Sequence, residues 1–134
     1  MNDTITQRLQ QHGVKPTSQR LEIGRVILAE PCHLSADQVI ARLRAGGSKV
    51  SKATVYNTLK LFCRQGILRE IAVDPSRMFY DSTTSPHHHF YNEDTGELID
   101  IDPDQLQIGS MPGLPKGTIE QSRELVVRVR NRAR

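Results

Sequence analysis

The hydrophobic pattern of this chain changes its period at Gly66, and that change restricts the fold more than any other feature. Before Gly66, apolar residues recur every three or four positions, which is the spacing of amphipathic helices. After it, apolar and polar residues alternate in "ILREIAV" and "RMFYD", which predicts a β-hairpin that turns at "DPS". Helices followed directly by a hairpin predict a winged helix-turn-helix, and the chain is therefore expected to be an α+β protein.

Four helices are predicted before Gly66 from caps and apolar spacing. They are expected over about residues 3–12, 17–31, 35–46 and 51–66. At the start of the third, Ser35 and Gln38 match the capping-box pattern. In the fourth, apolar side chains at helical spacing are expected to form a buried stripe: Val55, Leu59 and Phe62.

The other face of the fourth helix carries cations, an aromatic hydroxyl and an amide: Lys52, Tyr56, Asn57, Lys60 and Arg64. In a winged helix this face enters the DNA major groove, where cations meet phosphates and the other groups reach base edges. Residues 1–82 hold 12 Lys or Arg and 7 Asp or Glu, which favours a polyanionic partner. An ordinary solvated helix face would carry the same residue types, so the pattern leaves both interpretations open.

The segment "STTSP" at residues 82–86 is the expected linker, and it divides the chain into residues 1–82 and residues 83–134. Beyond it, short strands are expected around "HHFY", "ELIDI" and "ELVVRVRNR". So short a segment buries little apolar surface by itself, and its strands would leave open sheet edges. Residues 83–134 are therefore predicted to dimerise with a second copy of the chain.

Three consecutive histidines, His87, His88 and His89, follow the expected linker. If they lie in a strand, His87 and His89 face one side and offer two imidazoles to one metal ion. Asp100 on the next strand could face this pair, while Asp81 and His33 are the remaining candidates. Histidine and carboxylate without sulfur suit Fe(II), Mn(II) or Zn(II). The alternative, histidines with a purely structural role, also stays open.

Several classes of protein do not fit this sequence. The metalloprotease, hydrolase and phosphate-loop motifs are absent, so no enzymatic activity is expected. Cys32 and Cys63 stand far apart and do not make a thiolate zinc site. No apolar run approaches the ~20 residues of a membrane-spanning helix, and no signal peptide is recognisable, so a cytoplasmic location is expected.

Four segments occur in a characteristic order: "VKPTSQRLEI", "HLSADQV", "VSKATVYNTLKLFCRQGIL" and "HHHF". Together they resemble the ferric uptake regulator family of bacterial metal-responsive repressors over essentially the whole chain. The triple histidine, the absent cysteine pairs and the ending "MPGLPKGTIE…LVVRVR" are most similar to its iron response regulator subgroup. The resemblance implies a winged-helix DNA-binding domain followed by a small α/β dimerisation domain.

The resemblance also implies roles for individual residues. Tyr56 would contact bases with Asn57 beside it, and Lys15 would reach an AT-rich minor groove. The full set of expected DNA contacts is Lys15, Arg20, Lys52, Thr54, Tyr56, Asn57 and Lys60. A regulatory Fe(II) or Mn(II) would be held at the hinge between the domains by His33, Asp81, His87, His89 and Asp100.

The chain departs from the family pattern at the structural zinc. The first of the family's CxxC pairs would fall at Asn92 and Thr95, so no structural zinc is expected. Haem binding through His87, His88 and His89 is a further expectation. The Cys-Pro motif that binds haem in some members of the subgroup is missing.

The resulting hypothesis is a transcriptional regulator of iron homeostasis. It would bind an AT-rich inverted repeat as a dimer, under the control of iron or manganese. Two alternatives stay open: a peroxide sensor, in which Fe(II) promotes oxidation of His33 or His87, and a haem-binding protein.

Overall fold

The computed structural model describes residues 4–74, 76–85 and 87–133, and the chain divides into two compact units. The N-terminal unit comprises Met1–Thr84, and the C-terminal unit comprises Ser85–Arg134. The described elements of the N-terminal unit are α1 (Thr4–Gln11), α2 (Ser18–Ile27), β1 (His33–Ser35), α3 (Ala36–Ala45), α4 (Lys52–Arg64), β2 (Arg69–Asp74) and β3 (Arg77–Asp81). Those of the C-terminal unit are β4 (His88–Asn92), β5 (Leu98–Ile101), a 3-10 turn (Pro103–Gln105) and β6 (Val126–Val129). This mixture of helices and strands confirms the expected α+β class.

All four predicted helices are present, but α2 is shorter than expected. The prediction extended it to Pro31, whereas the helix ends at Ile27 with Leu28 as its C-cap. The ring of Pro31 disfavours helical backbone in the residue before it, so a helix cannot reach that position without strain. The residues after α2 instead lead into β1, a three-residue strand that the sequence did not predict.

The capping box that was predicted at Ser35 is present at the start of α3. The Gln38 backbone N–H donates to Ser35 Oγ at 3.2 Å, and the Ser35 backbone N–H donates to Gln38 Oε1 at 2.9 Å. These two bonds satisfy donors that the first helical turn would otherwise leave without partners.

Replacing Ser35 by alanine is expected to lower the free energy of unfolding by about 1 kcal/mol, since the Gln38 N–H loses its acceptor. Urea denaturation followed by circular dichroism would measure the loss. Ser110→Ala, at an exposed serine outside the helices and strands, is the comparison. Equal losses in the two variants would show that the capping box is not what stabilises α3.

Three antiparallel strands complete the N-terminal unit, in the order β1-β3-β2. The predicted hairpin is confirmed as β2 and β3. On the other side of β3, the strand β1 pairs so that His33 lies opposite Asp81. Pairing with β1 therefore brings a histidine from beyond α2 next to the last residue of the hairpin.

The core of the N-terminal unit lies between the four helices and the start of the sheet. The predicted stripe of α4 is confirmed, because Val55, Leu59 and Phe62 have no solvent-exposed surface. Ile23, Ile27 and Val39 of α2 and α3 are likewise fully enclosed. Burying this face of α4 directs its polar face outward.

The two cysteines of the N-terminal unit are poorly suited to redox chemistry. Burial, with a smaller contribution from Glu70, raises the pKa of the Cys63 thiol to about 12. Burial also raises the pKa of the Cys32 thiol, whose Sγ contacts the Ile27 carbonyl oxygen at 3.3 Å. Because the thiolate is the reactive form, both thiols are expected to be inert near neutral pH.

We expect the native chain to react with a disulfide reagent such as Ellman's reagent at pH 8 far more slowly than the chain in denaturant. For Cys63 the thiolate fraction falls about a thousandfold. Because a thiolate of higher pKa is also a stronger nucleophile, the rate itself falls by about thirtyfold to sixtyfold. The absorbance of the released thiol would measure both rates. Equal rates with and without denaturant would contradict the burial of these thiols.

The C-terminal unit contains a second three-stranded sheet, in the order β5-β4-β6. The strand β4 pairs antiparallel with β5 and parallel with β6. Its only described helix is the 3-10 turn Pro103–Gln105. None of the described helices of the chain is long and apolar enough to cross a membrane.

Few apolar side chains of the C-terminal unit are buried. Among its described residues, those that are buried are Tyr91, Leu98 and Ile101. Its exposed large apolar side chains are Phe90, Ile99, Ile108, Met111, Leu114, Ile119 and Leu125. A unit that exposes more large apolar side chains than it buries is typical of one half of an interface.

Candidate metal centre and nucleic-acid interface

Three of the five predicted metal ligands come together in the C-terminal unit. His89 lies opposite Asp100 in the pairing of β4 with β5, and His87 precedes β4 on the same side as His89. The Nε2 atoms of His87 and His89 lie 3.4 Å and 3.1 Å from Asp100 Oδ1. The two imidazole rings are 4.5 Å apart, centre to centre. Two imidazoles and a carboxylate thus converge on one point.

The hydrogen bonding of His87 indicates which of its two ring nitrogens directs a lone pair towards Asp100 Oδ1. Nδ1 lies 2.8 Å from the Ser85 carbonyl oxygen, which can only accept, so Nδ1 carries the hydrogen. In the neutral ring Nε2 is then unprotonated, and its lone pair faces the carboxylate oxygen of Asp100. Two lone pairs at this distance repel each other unless a proton or a metal cation lies between them.

The site therefore has the chemistry of a cation-binding centre. Both histidines are almost fully buried, whereas the Asp100 side chain is 58% exposed. Nitrogen and oxygen donors without thiolate suit Fe(II), Mn(II) or Zn(II). A carbonyl that orients a ligand histidine through its second nitrogen is the arrangement that metal sites commonly use.

The other two predicted ligands belong to the N-terminal unit. His33 and Asp81 lie opposite each other in the pairing of β1 with β3. Asp81 is buried, and its Oδ1 accepts a hydrogen bond from the Thr83 N–H at 2.8 Å. The His33 ring meets the Phe79 ring edge-on, with centres 6.4 Å apart.

His88, which was predicted as a possible haem ligand, has a different environment from its neighbours. Its Nδ1 accepts the backbone N–H of Leu125 at 2.9 Å, so the hydrogen of the neutral ring is on Nε2. Coordination through Nε2 would move that hydrogen to Nδ1, where it would face another N–H. His88 is thus arranged to hold the chain before β6, and this does not favour a role as haem ligand.

The positions at which the family pattern places cysteines carry a hydrogen-bonded turn. The Asn92 side-chain oxygen accepts the backbone N–H groups of Asp94 and Thr95 at 2.9 Å and 3.1 Å. The Asn92 side-chain NH₂ donates to Asn131 Oδ1 at 2.9 Å, and the Asn131 backbone N–H donates to Asp94 Oδ2 at 2.7 Å. These bonds tie the residues after β6 to the turn between β4 and β5.

The expected DNA-contacting side chains of α4 lie on its outer face. Lys52, Tyr56, Asn57 and Lys60 are exposed, and Thr54 is partly exposed. Two of these side chains have intramolecular partners. The Tyr56 hydroxyl donates to Asp37 Oδ1 of α3 at 3.4 Å, and Thr54 Oγ1 accepts the Ser51 hydroxyl at 2.9 Å.

A groove of about 600 Å³ runs between this face of α4 and the start of α2. Arg20 lines it and donates through its guanidinium to the Lys15 carbonyl oxygen at 3.1 Å, which holds the exposed loop that carries Lys15. Five further polar side chains line the groove but were absent from the expected set of DNA contacts, although Arg64 was expected on the outer face of α4: Thr17, Ser18, Gln19, Thr58 and Arg64. For the residues at the start of α2, the N-cap at Thr17 is the sequence feature that indicates phosphate contact, because the first turn of a helix presents N–H groups that suit phosphate.

Comparison with known proteins gives three results. The model of the Ferric uptake regulator family matches residues 11–111. The Peroxide-responsive repressor PerR of Staphylococcus saprophyticus is 33% identical over 106 residues, which cover 79% of this chain and 71% of that protein. PerR of Staphylococcus aureus (strain USA300) is 34% identical over 98 residues, or 73% of this chain and 66% of that protein, just under two thirds of its length.

Two solved structures share both the fold and detectable sequence identity. The ferric uptake regulator of Pseudomonas aeruginosa with manganese has a TM-score of 0.72 and 25% identity, covering 98% of this chain and 100% of that one. The regulator of Francisella tularensis with iron has a TM-score of 0.71 and 26% identity, covering 89% and 92%. The predicted family is confirmed, whereas membership of the iron response regulator subgroup stays a prediction. The chain belongs to the Ferric uptake regulator family, whose members are transcription regulators and not enzymes.

Proposed function

We propose that this chain is a transcriptional regulator of iron homeostasis that binds an AT-rich inverted-repeat operator as a homodimer, under the control of Fe(II) or Mn(II). The observation that carries the proposal is the convergence of His87 and His89 on Asp100, with a lone pair of His87 facing the carboxylate. A metal cation, like a proton, would remove the repulsion between these lone pairs, and a metal ion whose occupancy varies with its concentration can act as a signal.

His33 and Asp81 are proposed to complete the coordination from the N-terminal unit. Two facts support this set: Asp81 lies opposite His33 across the β1–β3 pair, and it precedes His87 by only six residues in the chain. A bound ion would then link the two units and restrict the hinge between them. Restricting the hinge would select one spacing of the two α4 helices in a dimer.

The outer face of α4 is proposed to enter the major groove, with the groove beside α2 along the DNA backbone. This is supported by the hydroxyl, amide and guanidinium groups that line the groove, which are the groups that contact phosphate and sugar. The exposed Lys15 on its loop is proposed to reach into a narrow, AT-rich minor groove.

The C-terminal unit is proposed to form the dimer interface. Its sheet carries Phe90, Ile99 and Val127 at neighbouring register positions, and the first two are exposed. A second copy of the same face would cover them.

Fluorescence anisotropy on an AT-rich inverted-repeat duplex tests the proposed function. Binding would be measured with chelator, with Mn(II) and with haemin, at one salt concentration because phosphate contacts make affinity depend on salt. We expect the affinity for the duplex to change when Mn(II) is added and to return to its metal-free value when chelator removes the ion. A chain that binds no duplex under any condition, or whose binding ignores Mn(II), would contradict the proposal; a response to haemin alone would favour the haem alternative.

Peroxide sensing is the second candidate, and the similarity to peroxide-responsive repressors favours it. With Fe(II) bound, one oxygen atom of hydrogen peroxide would be added to the ring of His33 or His87. The other oxygen atom would be released as water. Mass spectrometry of the chain loaded with Fe(II), and of the same chain with Mn(II), would detect the added oxygen after peroxide treatment. Oxidation of these peptides only with Fe(II) supports peroxide sensing, and no oxidation in either sample excludes it.

A further inference from the structure

The hydroxyl of Tyr56 is oriented by a carboxylate from the neighbouring helix. Tyr56 lies on the outer face of α4, and its Oη is 3.4 Å from Oδ1 of Asp37 in the first turn of α3. This distance is longer than the typical ~2.7–2.8 Å of an O–H···O bond, so the contact is weak. A full negative charge nevertheless orients an O–H dipole at this range, and the start of α3 stabilises that charge.

Asp37 therefore decides which hydrogen-bonding capacity Tyr56 retains for a ligand. A carboxylate can only accept, so the hydroxyl hydrogen points towards Asp37 and the two oxygen lone pairs are directed elsewhere. Partial burial and then the Asp37 carboxylate raise the pKa of Tyr56 above its usual value, so the phenol keeps its proton at physiological pH.

We propose that Asp37 is a specificity-determining positioning residue that makes the Tyr56 hydroxyl an acceptor, so that Tyr56 selects, on the DNA strand it contacts, bases that present an N–H donor in the major groove. The inference rests on the proposed function, in which Tyr56 contacts bases. The donors available there are the N6 amino group of adenine and the N4 amino group of cytosine. The acceptor-only edges of guanine and thymine would face oxygen lone pairs and be rejected at that position.

Asp37 also has an effect that does not depend on sequence. Its side chain is exposed on the same side of α3 and α4 as the cations that would meet phosphate, and a carboxylate there repels the DNA backbone. Removing the charge would therefore strengthen binding to every duplex. Discrimination between bases, rather than affinity, is accordingly the quantity that isolates the role of Asp37.

Selection from a pool of random-sequence duplexes, with the full chain and Mn(II) present, tests the inference. The wild type, Asp37→Asn, Asp37→Glu and Tyr56→Phe are compared, followed by anisotropy on the selected duplex and on its single-base substitutions. Glu30→Gln removes an exposed carboxylate elsewhere in the N-terminal unit and controls for net charge. We expect one position at which the wild type prefers adenine and cytosine to guanine and thymine, all read on the same strand, by about fivefold to tenfold, as one good base contact provides.

At that position Tyr56→Phe should lose the preference, Asp37→Asn should lose most of it, and both Asp37→Glu and Glu30→Gln should keep it. An Asp37→Asn variant with wild-type base preferences overturns the inference. So does a wild type whose preference divides the bases in another way wherever Tyr56→Phe changes the selection, for example purine from pyrimidine or A·T from G·C pairs. In both cases the proposed function stands. A wild type that enriches no sequence contradicts the proposed function, and the inference is then wrong with it.

Discussion

Replacing His89 by alanine is expected to weaken Mn(II) binding by about a hundredfold or more, because an enclosed imidazole 3.1 Å from Asp100 is removed. A water molecule in its place would be a weaker ligand than imidazole, and the histidine side of the site is buried from solvent. Isothermal titration calorimetry with Mn(II) would give the affinity, and circular dichroism would show whether the fold is retained.

His12→Ala is the matched control for this prediction. His12 lies in the N-terminal unit and contacts the Arg8 carbonyl oxygen at 2.8 Å, remote in sequence from all five proposed ligands. Its replacement also removes one imidazole and should leave Mn(II) affinity within about twofold, as expected for a residue without a ligand role. If His89→Ala and His12→Ala bind Mn(II) equally well, the metal-sensing site lies elsewhere in the chain.

Replacing Phe62 by alanine is expected to lower the free energy of unfolding of the N-terminal unit by about 3–5 kcal/mol. The side chain has no exposed surface and lies in the apolar cluster that joins α4 to the other helices. Its removal leaves a cavity that close-packed neighbours can only partly fill. The same helix carries Tyr56, so the Phe62→Ala variant should lose DNA binding at a lower temperature than the unsubstituted chain.

Urea denaturation followed by the circular-dichroism signal of α-helix would measure this loss. In the described part of the chain all α-helices lie in the N-terminal unit, so this signal reports the unfolding of that unit. Lys60→Ala, on the exposed face of the same helix, should change stability by no more than about 0.5 kcal/mol. A loss below about 1 kcal/mol for Phe62→Ala would mean that this face of α4 is not part of the core.

Much of the N-terminal unit could be predicted because its signals are local. Helices α1 to α4 follow from caps and from apolar spacing within single segments, and the hairpin follows from alternation on either side of a short turn. The strand β1 could not be predicted, since three residues carry no recognisable period and their extended form depends on pairing with β3. The parallel pairing of β6 with β4 likewise could not be predicted from the sequence, because it joins segments more than thirty residues apart.

The candidate site divides in the same way. Strand alternation predicted that His87 and His89 share one side, and both rings approach Asp100 although β4 begins only at His88. The hydrogen-bonding state of these rings could not, because it depends on carbonyl and N–H groups that only the folded chain brings to Nδ1 of His87 and His88. The partner of Tyr56 was missed for a related reason, since Asp37 is nineteen residues away on another helix.

The sequence by itself determined the helices, the hairpin, the polar face of α4 and the residue types of the candidate metal site, because each depends on residues close together in the chain. Tertiary structure decided which of these groups act together: the register that sets Asp100 opposite His89, the carbonyl that turns the His87 lone pair inward, and the carboxylate beside Tyr56. The physical reason is that hydrogen bonds and charge contacts act over a few ångströms of space, whatever the separation along the chain.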